Sequence, residues 1–212
     1  ALANGYIVVC DMWGGVTAYG FEKVGDVDRI SVSPASTDMG VMRTAVLEAH
    51  AYDLYGNEVA GHELTWSSLN NLGSVVPVSD NGERAVYFAG PEAGRDTVRV
   101  TSMGVFADAS LNILAGPAAG VIVSPASASV VVSGTVQFSA SVKDMYGNTV
   151  PGADISWSVD GGTGTISDTG FFTAGLVVGT GTVEASSSGM VGVAAFTVLP
   201  GGLERIIVTP GE

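Results

Sequence analysis

Positively charged residues are scarce in this sequence. Its 212 residues include 8 Lys and Arg against 21 Asp and Glu, which gives a formal net charge of −13 at pH 7. Neutralising phosphates requires a basic patch, so this balance argues against nucleic-acid binding and against adsorption to anionic lipid. Charged residues make up only 14% of the chain and hydrophobic residues 46%. Intrinsic disorder needs the opposite composition and is therefore excluded.

Cysteine and long hydrophobic runs are also lacking. Cys10 is the one cysteine, which excludes an internal disulfide and a cysteine-based zinc site. The longest apolar stretches, such as residues 118–123, are far shorter than the roughly 20 residues that span a bilayer. We therefore expect no membrane-spanning segment in this chain. No signal peptide is visible, and the sequence begins inside a strand-like segment, so we expect a processed or excised N-terminus.

What the sequence does contain is a repeat. The phrase Asp-x-Tyr-Gly-Asn begins at Asp53 and again at Asp144, ahead of Trp66 and Trp157 respectively. The offset between the copies is 91 residues, and it holds without a gap from residue 30 to residue 66. Beyond the tryptophans the offset falls to 85, so the second copy lacks six residues. They fall in a Gly- and Ser-rich stretch, which predicts a deletion in a loop.

The two ends of the chain also repeat parts of a module. Residues 203–210 match the start of each copy, and residues 6–21 resemble the end of one. We therefore expect the C-terminal hairpin of a preceding module at 1–28, whole modules at 29–116 and 117–201, and the first strand of a following module at 202–212. This arrangement predicts that the sequence is a window on a longer tandem array.

The pattern within a module is that of short strands. In the second copy Val136, Phe138, Ala140 and Val142 alternate with polar residues, which gives each strand one buried and one solvent-facing side. No helical period is found. Roughly seven strands with turns every 8–12 residues are the signature of an immunoglobulin-like (Ig-like) sandwich. The predicted fold class is therefore all-β, with tandem Ig-like β-sandwiches of Greek-key topology.

The sequence of the turn ahead of each tryptophan resembles that of a known repeat family. Asp-x-Tyr-Gly-Asn-x-Val-x-Gly is similar to the bacterial and archaeal Ig-like (Big) repeats, and so is the segment 164–174. The resemblance covers about residues 30–200. Such repeats occur in invasin- and intimin-type adhesins, in S-layer proteins and as spacers in secreted hydrolases. The resemblance thus implies an extracellular or cell-surface location and no particular ligand. Residues 73–82 depart from the family phrase, which leaves the middle strands of the first copy unassigned.

Trp66 and Trp157 occupy equivalent positions and invite two interpretations. One is a platform on which a sugar ring stacks. The other is a core tryptophan on the third strand of an Ig-like sandwich. We favour the core, because both tryptophans lie in phase with the apolar residues Leu64 and Ile155.

Six residues carry oxygens of the kind that calcium binds: Asp26, Asp28, Asp53, Asn57, Asp144 and Asn148. For the last four we favour turn chemistry, in which Gly56 and Gly147 supply a positive φ and the Asp and Asn side chains bond to nearby backbone. Two oxygens per turn are far short of the six to eight ligands that calcium takes. The first two lie at a predicted module junction. We expect no cofactor, with calcium as the alternative.

No catalytic motif is present. His62 and Glu63 begin a zinc-protease phrase, but Trp66 holds the position of the second histidine. His50 is replaced by Ser141 in the other copy. No nucleophile elbow, phosphate loop or dinucleotide fingerprint is found. We therefore expect neither enzymatic activity nor catalytic residues.

These expectations combine into a function. We predict a non-catalytic structural module of an extracellular cell-surface protein: an S-layer or sheath component, an adhesin stalk or a filament subunit. The expected partners are neighbouring modules or further copies of the same protein, with a glycan or surface receptor as the alternative. In a filament, residues 203–212 of one copy could complete residues 1–24 of the next. The other functional prediction is an accessory, spacer or glycan-binding part of a secreted carbohydrate-active enzyme or adhesin.

Overall fold

The computed structural model describes residues 26–202 and the backbone of three N-terminal strands, which pair into one antiparallel sheet: Leu2–Ala3 (β1), Tyr6–Cys10 (β2) and Val16–Gly20 (β3). The predicted strand at 202–212 lies outside the described residues apart from Gly202, and so does the side chain of Cys10. The chain divides into two compact units, Ala1–Leu114 (unit 1) and Ala115–Glu212 (unit 2). The described residues form strands and turns and no helix.

Besides the N-terminal sheet of β1–β3, unit 1 contains two four-stranded sheets. Its remaining strands are Arg29–Ser33 (β4), Ser36–Gly40 (β5), Thr44–Tyr52 (β6), Thr65–Ser68 (β7), Gly73–Pro77 (β8), Arg84–Ala89 (β9), Gly94–Ser102 (β10) and Val105–Leu114 (β11). One sheet has the order β4-β6-β9-β8 and the other β5-β11-β10-β7. All neighbours are antiparallel except β5 and β11, which are parallel. This is the A-B-E-D and G-F-C strand order of an Ig-like sandwich, with the first strand divided between the sheets.

Unit 2 repeats this topology. Its strands are Ala118–Ser124 (β12), Ser127–Val131 (β13), Thr135–Gln137 (β14), Ser139–Asp144 (β15), Ser156–Asp160 (β16), Gly164–Ile166 (β17), Phe171–Ala174 (β18), Gly179–Ser187 (β19) and Met190–Leu199 (β20). β14 and β15 correspond to the single strand β6 and are separated at Phe138. β12 pairs with β15, and β14 pairs with β18 and β18 with β17. The second sheet has the order β13-β20-β19-β16.

The six-residue difference between the copies lies in one hairpin. It runs from Gly73 to Ala89 in unit 1 and from Gly164 to Ala174 in unit 2. Both hairpins turn through Ser-Asp-x-Gly, and in both the glycine amide donates to the serine carbonyl. Each arm is therefore three residues shorter in unit 2. The deletion shortens two strands rather than the predicted loop, and the unassigned middle strands of the first copy are β8 and β9.

Each unit fills its interior with alternate residues of its strands. In unit 2 the rings of Phe138 and Phe172 meet edge to face at 6.3 Å, and Phe172 lies 4.4 Å from Phe196. In unit 1 the corresponding interior holds Leu47 and Tyr87, both fully buried. Burial of apolar area of this kind is the dominant favourable term in folding. The two units thus share a backbone plan but fill it with different side chains.

Candidate functional site

The repeated turn of unit 2 is organised around a buried carboxylate. Asp144 is 4% exposed. Its Oδ2 accepts hydrogen bonds from the Gly116 amide and from Asn148 Nδ2, both at 2.8 Å. Its Oδ1 accepts from the amides of Tyr146 and Asn148, both at 2.9 Å. Burial by itself raises the pKa of Asp144, but these four hydrogen bonds outweigh it and lower the pKa to about 2.

The turn of unit 1 repeats three of these bonds. Asp53 accepts from the amides of Tyr55 and Asn57 and from Asn57 Nδ2, each at 2.9 Å. The bond from the Asn57 side chain is the largest cause of its lowered pKa. Gly56 and Gly147 close the two turns with φ of 85° and 88°, a conformation that favours glycine. The Asp and Asn side chains are therefore placed where they stabilise the turn backbone.

Four of the calcium candidates are brought together only as two hydrogen-bonded pairs, Asp53 with Asn57 and Asp144 with Asn148. Asp26 and Asp28 are both exposed, and the Asp28 amide donates to the Tyr52 carbonyl at 2.8 Å. Within the described part of the chain, no group of three or more His, Cys, Asp or Glu side chains is placed to hold a metal ion. His50 lies at the surface with Nδ1 2.5 Å from Oε1 of Glu58. The absence of a cofactor, with calcium as the alternative, stays a prediction that a titration can test.

The two tryptophans lie on equivalent strands, β7 and β16, and both are partly buried. Trp66 packs against the buried residues of unit 1, and its Nε1 donates to the Gly82 carbonyl at 2.7 Å. Trp157 packs against the core of unit 2. A Cβ at Gly170 would come within 2.8 Å of Trp157 Cζ2, so the turn glycine and the indole are in close contact. Both indoles are used in packing a hairpin turn against its sandwich.

Sequence reasoning missed a buried polar network in unit 1. Asp96 is fully buried, and its Oδ2 accepts hydrogen bonds from the hydroxyls of Tyr87 and Ser68, both at 2.6 Å. Its Oδ1 accepts from the Asn70 amide at 3.1 Å. Burial, and then the contact with Asp96, raises the pKa of Tyr87 far above its ordinary range. A signal was available, because Asp96 shares the inward phase of the buried Val98.

Unit 2 fills the same space without polar groups. The strand registers place Phe172, Gly181 and Val159 where unit 1 has Tyr87, Asp96 and Ser68. A Cβ at Gly181 would lie 2.5 Å from Cζ of Phe196. In unit 2 the ring of Phe196 thus fills the space that Asp96 and its hydrogen bonds occupy in unit 1. The hydrogen-bonded tyrosine, aspartate and serine of unit 1 are thus replaced together by phenylalanine, glycine and valine in unit 2.

The outer faces of the two units also differ. In unit 1 the registers align Val46, Val86 and Val76 in a row across three strands, beside the exposed Phe88. We call these four residues the unit 1 face. In unit 2 the row equivalent to that of Phe88 consists of three exposed threonines: Thr135, Thr173 and Thr165. The row equivalent to the valines holds Gln137 and Phe171, which is 44% exposed. Adjacent aromatics point in opposite directions as the alternation predicts, since Tyr87 is fully buried and Phe88 is 46% exposed. An apolar row on an outer sheet face is typical of an interaction surface.

An open cavity adjoins the unit 1 face. Its volume is about 440 Å³, and its lining includes Met42, Leu72, Phe88 and Glu92. We call it the Met42 groove. Met42 has φ of 58°, but Ser133 at the equivalent position of unit 2 has φ of 61°. The backbone conformation therefore belongs to the fold, and the apolar side chains are what distinguish the groove in unit 1.

No protein-family model matches this sequence, and no curated protein matches it. Solved structures do match. InvD of Yersinia pseudotuberculosis is similar over 86% of this chain and 60% of its own, with 20% identity and a TM-score of 0.56. Invasin, described as a bacterial integrin-binding protein, is similar over 88% of this chain and 43% of its own, with 16% identity and a TM-score of 0.53. Domains 1–6 of the surface layer protein SbsC match over 89% of this chain and 30% of theirs, with 22% identity and a TM-score of 0.45.

These similarities concern the fold. The predicted class, all-β with Ig-like sandwiches, is confirmed by the strand order and by the likeness to InvD and invasin. The resemblance to Ig-like repeats of bacterial surface proteins is confirmed at the same level. This chain spans 60% of the InvD chain and 43% of the invasin chain. Over the described residues, no helix has the length and apolarity that crossing a bilayer would take.

Proposed function

We propose that the two units are non-catalytic structural modules of an extracellular cell-surface protein. The S-layer or sheath component, the adhesin stalk and the filament subunit are the three forms that this role can take. The observation that supports the proposal is the repetition of the Asp turn, with the same three hydrogen bonds from the turn to the Asp carboxylate, in two consecutive Ig-like units. His50, by contrast, does not recur, since Ser141 occupies the equivalent position of unit 2.

The internal organisation of each unit fits a tandem array. Three residues separate the end of β11 at Leu114 from the start of β12 at Ala118. Within unit 2, the bond from the Gly116 amide to Asp144 fixes these first residues to the unit's own turn. A domain with its own core and a fixed entry strand can fold as a separate element of a series. We propose two whole modules with their boundary between Leu114 and Ala118, close to the predicted bounds of 29–116 and 117–201.

The acidic composition favours solubility. The chain carries a net charge of −13. The fold is shared with InvD and with invasin. The integrin binding by which invasin is described belongs to that protein, and it is not part of this proposal.

The location can be tested on intact cells that produce the protein. Antibodies raised against the 212-residue chain should label unpermeabilised cells, and brief digestion with proteinase K should remove the label. A cytosolic protein, probed in parallel, should stay unlabelled until the cells are permeabilised. Gold-labelled electron micrographs would then separate a regular lattice from filaments or isolated stalks. Label that appears only after permeabilisation would contradict the proposal.

A further inference from the structure

The strand β8 has an open edge. It is the last strand of the sheet β4-β6-β9-β8. The Val78 amide donates to the Arg84 carbonyl at 2.8 Å, which fixes the phase of the ladder between the two arms. Because an antiparallel ladder alternates, Gly73, Val75 and Pro77 direct their backbone groups away from β9. Proline is tolerated at such a position, since its missing N–H would have faced away from the sheet.

This edge lacks most of the features that protect sheet edges. Proteins blunt exposed edges with charged side chains or very short strands. β8 has no charged residue, and it is two residues longer than its counterpart β17 in unit 2. Pro77 stands only at its end. The edge is therefore extended in the unit that also carries the apolar face.

The edge, the unit 1 face and the Met42 groove are continuous. Gly73 and Ser74 of β8 line the groove together with Phe88 of the unit 1 face. Val76 of the face is 47% exposed and lies on β8 itself. A strand added along β8 would extend the row of Val46, Val86 and Val76 by one more position. The groove volume of about 440 Å³ lies within the range of ligand pockets, about 300–1,000 Å³.

Acidic residues outnumber basic ones around the edge, where Arg43, next to Met42, is an exposed basic residue. Among the described residues that line the groove, Glu92 is the only charged side chain. The turn at the far end of the hairpin carries Asp80 and Glu83. Arg84 is engaged by Glu48, with Nε 3.2 Å from Oε1. Since the whole chain carries −13, a basic partner is attracted.

We propose that β8 and the Met42 groove bind an extended, basic segment of a partner protein by strand addition. The segment's main chain pairs with the outward backbone groups of Gly73 and Val75, and one large apolar side chain enters the groove beside Phe88. The mode is one by which main-chain hydrogen bonds give affinity and a side-chain pocket gives specificity. This binding role goes beyond the proposed structural role. It can fail or succeed independently, because the binding measurements below do not depend on whether the protein is found at the cell surface.

Selection from a random peptide library tests the proposal. A phage-displayed library of random 12-residue peptides is selected on the whole chain and counter-selected on the variant Phe88→Thr. Threonine is what unit 2 has at the equivalent position, Thr173, so the variant should fold. We expect enriched peptides that carry a large apolar residue and Lys or Arg. Enrichment of acidic peptides, or of none that depend on Phe88, would overturn the proposal.

An enriched peptide is then synthesised for two direct measurements. Its affinity should fall by at least about tenfold for Phe88→Thr, as expected for a buried aromatic contact, and should be unchanged for the matched variant Phe171→Thr of unit 2. Hydrogen exchange should slow at the amides of Gly73 and Val75 when the peptide is bound. Methylating alternate peptide nitrogens should abolish binding in one of the two alternating sets.

Three results would overturn the inference at this stage. The first is equal binding by both threonine variants. The second is tolerance of methylation in both sets, because a strand that pairs through its main chain must lose bonds in one of them. The third is protection that appears away from β8. Binding of soluble polysaccharide to the Met42 groove with no peptide binding would assign the surface to glycan instead.

Discussion

Removing one hydroxyl from the centre of unit 1 should destabilise that unit alone. Tyr87→Phe deletes the donor that lies 2.6 Å from Asp96 Oδ2 and leaves the ring in place. Both residues are fully buried, so water cannot replace the lost bond. A hydrogen bond to a charged group contributes about 1.5–3 kcal/mol, and the buried carboxylate keeps its desolvation cost. We expect the free energy of unfolding of unit 1 to fall by about 2 kcal/mol.

The stabilities of the two units must be measured separately, because a single melting curve would combine their two unfolding transitions. Native-state hydrogen exchange does this, with amides of Val98 and Val100 reporting on unit 1 and that of Val183 on unit 2. For a domain of this size, 2 kcal/mol corresponds to a shift of roughly 8–16 °C in the melting temperature. Only the unit 1 amides should lose protection.

Two further variants control the interpretation. Tyr55→Phe removes the same hydroxyl from a side chain that is 87% exposed, and it should leave stability unchanged. Ser68→Ala removes the second donor to the same oxygen. Its effect should not add to that of Tyr87→Phe, because both bonds share one acceptor. A loss below about 0.5 kcal/mol for Tyr87→Phe, within the scatter of ordinary surface substitutions, would refute the reasoning.

The same tyrosine predicts a response to alkali. Burial, strengthened by Asp96, raises the pKa of Tyr87 from its ordinary value of 10.0. An unfolded tyrosine ionises near that value while the folded Tyr87 keeps its proton. Its contribution to stability is therefore complete below pH 10 and is lost as the pH rises toward the folded pKa. The stability difference between the native chain and Tyr87→Phe should shrink above pH 10, and a difference that grows there would contradict the assignment.

The remaining predictions concern unit 2 and the Asp turns. Hydrogen bonds that outweigh burial lower the pKa of Asp144 from 3.8 to about 2. The stabilisation by Asp144 is therefore present above pH 3.8 and is lost as the pH falls through about 2. Unfolding of unit 2 measured from pH 5 to 2 should show this loss, and Asp144→Asn should remove the pH dependence. Gly181→Ala should prevent normal packing, since a Cβ would lie 2.3 Å from the Asp160 carbonyl oxygen. In Gly147→Ala the new Cβ meets no atom within 4 Å, so this variant should cost only about 1–2 kcal/mol for its positive φ. Denaturant titration compares the stabilities of the two variants. Trp157→Ala should cost roughly 3–5 kcal/mol, and a variant that melts like the native chain would show that the indole is not a packing residue. Millimolar calcium should leave both melting temperatures unchanged, because the turn oxygens already accept hydrogen bonds; a clear rise would assign a metal site.

Much of the fold could be predicted because the sequence repeats. The offset of 91 residues aligns the Asp turns and the tryptophan strands of the two copies, and the alternation at Phe138 and Val142 identifies a buried face. The hairpin of unit 1 could not be predicted in this way. Its turn is Ser-Asp-Asn-Gly82, but longer arms move it by three residues on each side, so the family phrase is interrupted.

The polar network and the unit 1 face depend on contacts between distant strands. Asp96 meets Ser68 across 28 residues and Tyr87 across a turn, and no local pattern states that pairing. Val46, Val76 and Val86 likewise form a row only through strand register. The outward phase of each residue is readable from alternation, but their meeting is a property of the assembled sheet.

The different interiors of the two units matter while the chain is folding. Neighbouring domains that resemble each other can exchange equivalent segments and misassemble. An exchanged hairpin would bring Phe172 beside Asp96, whose carboxylate would lose its tyrosine donor. It would also bring Tyr87 against Phe196, where the space beside Gly181 is already filled. We expect a lost bond to the buried aspartate to cost about 1–3 kcal/mol, which would favour the pairing of each hairpin with its own sandwich.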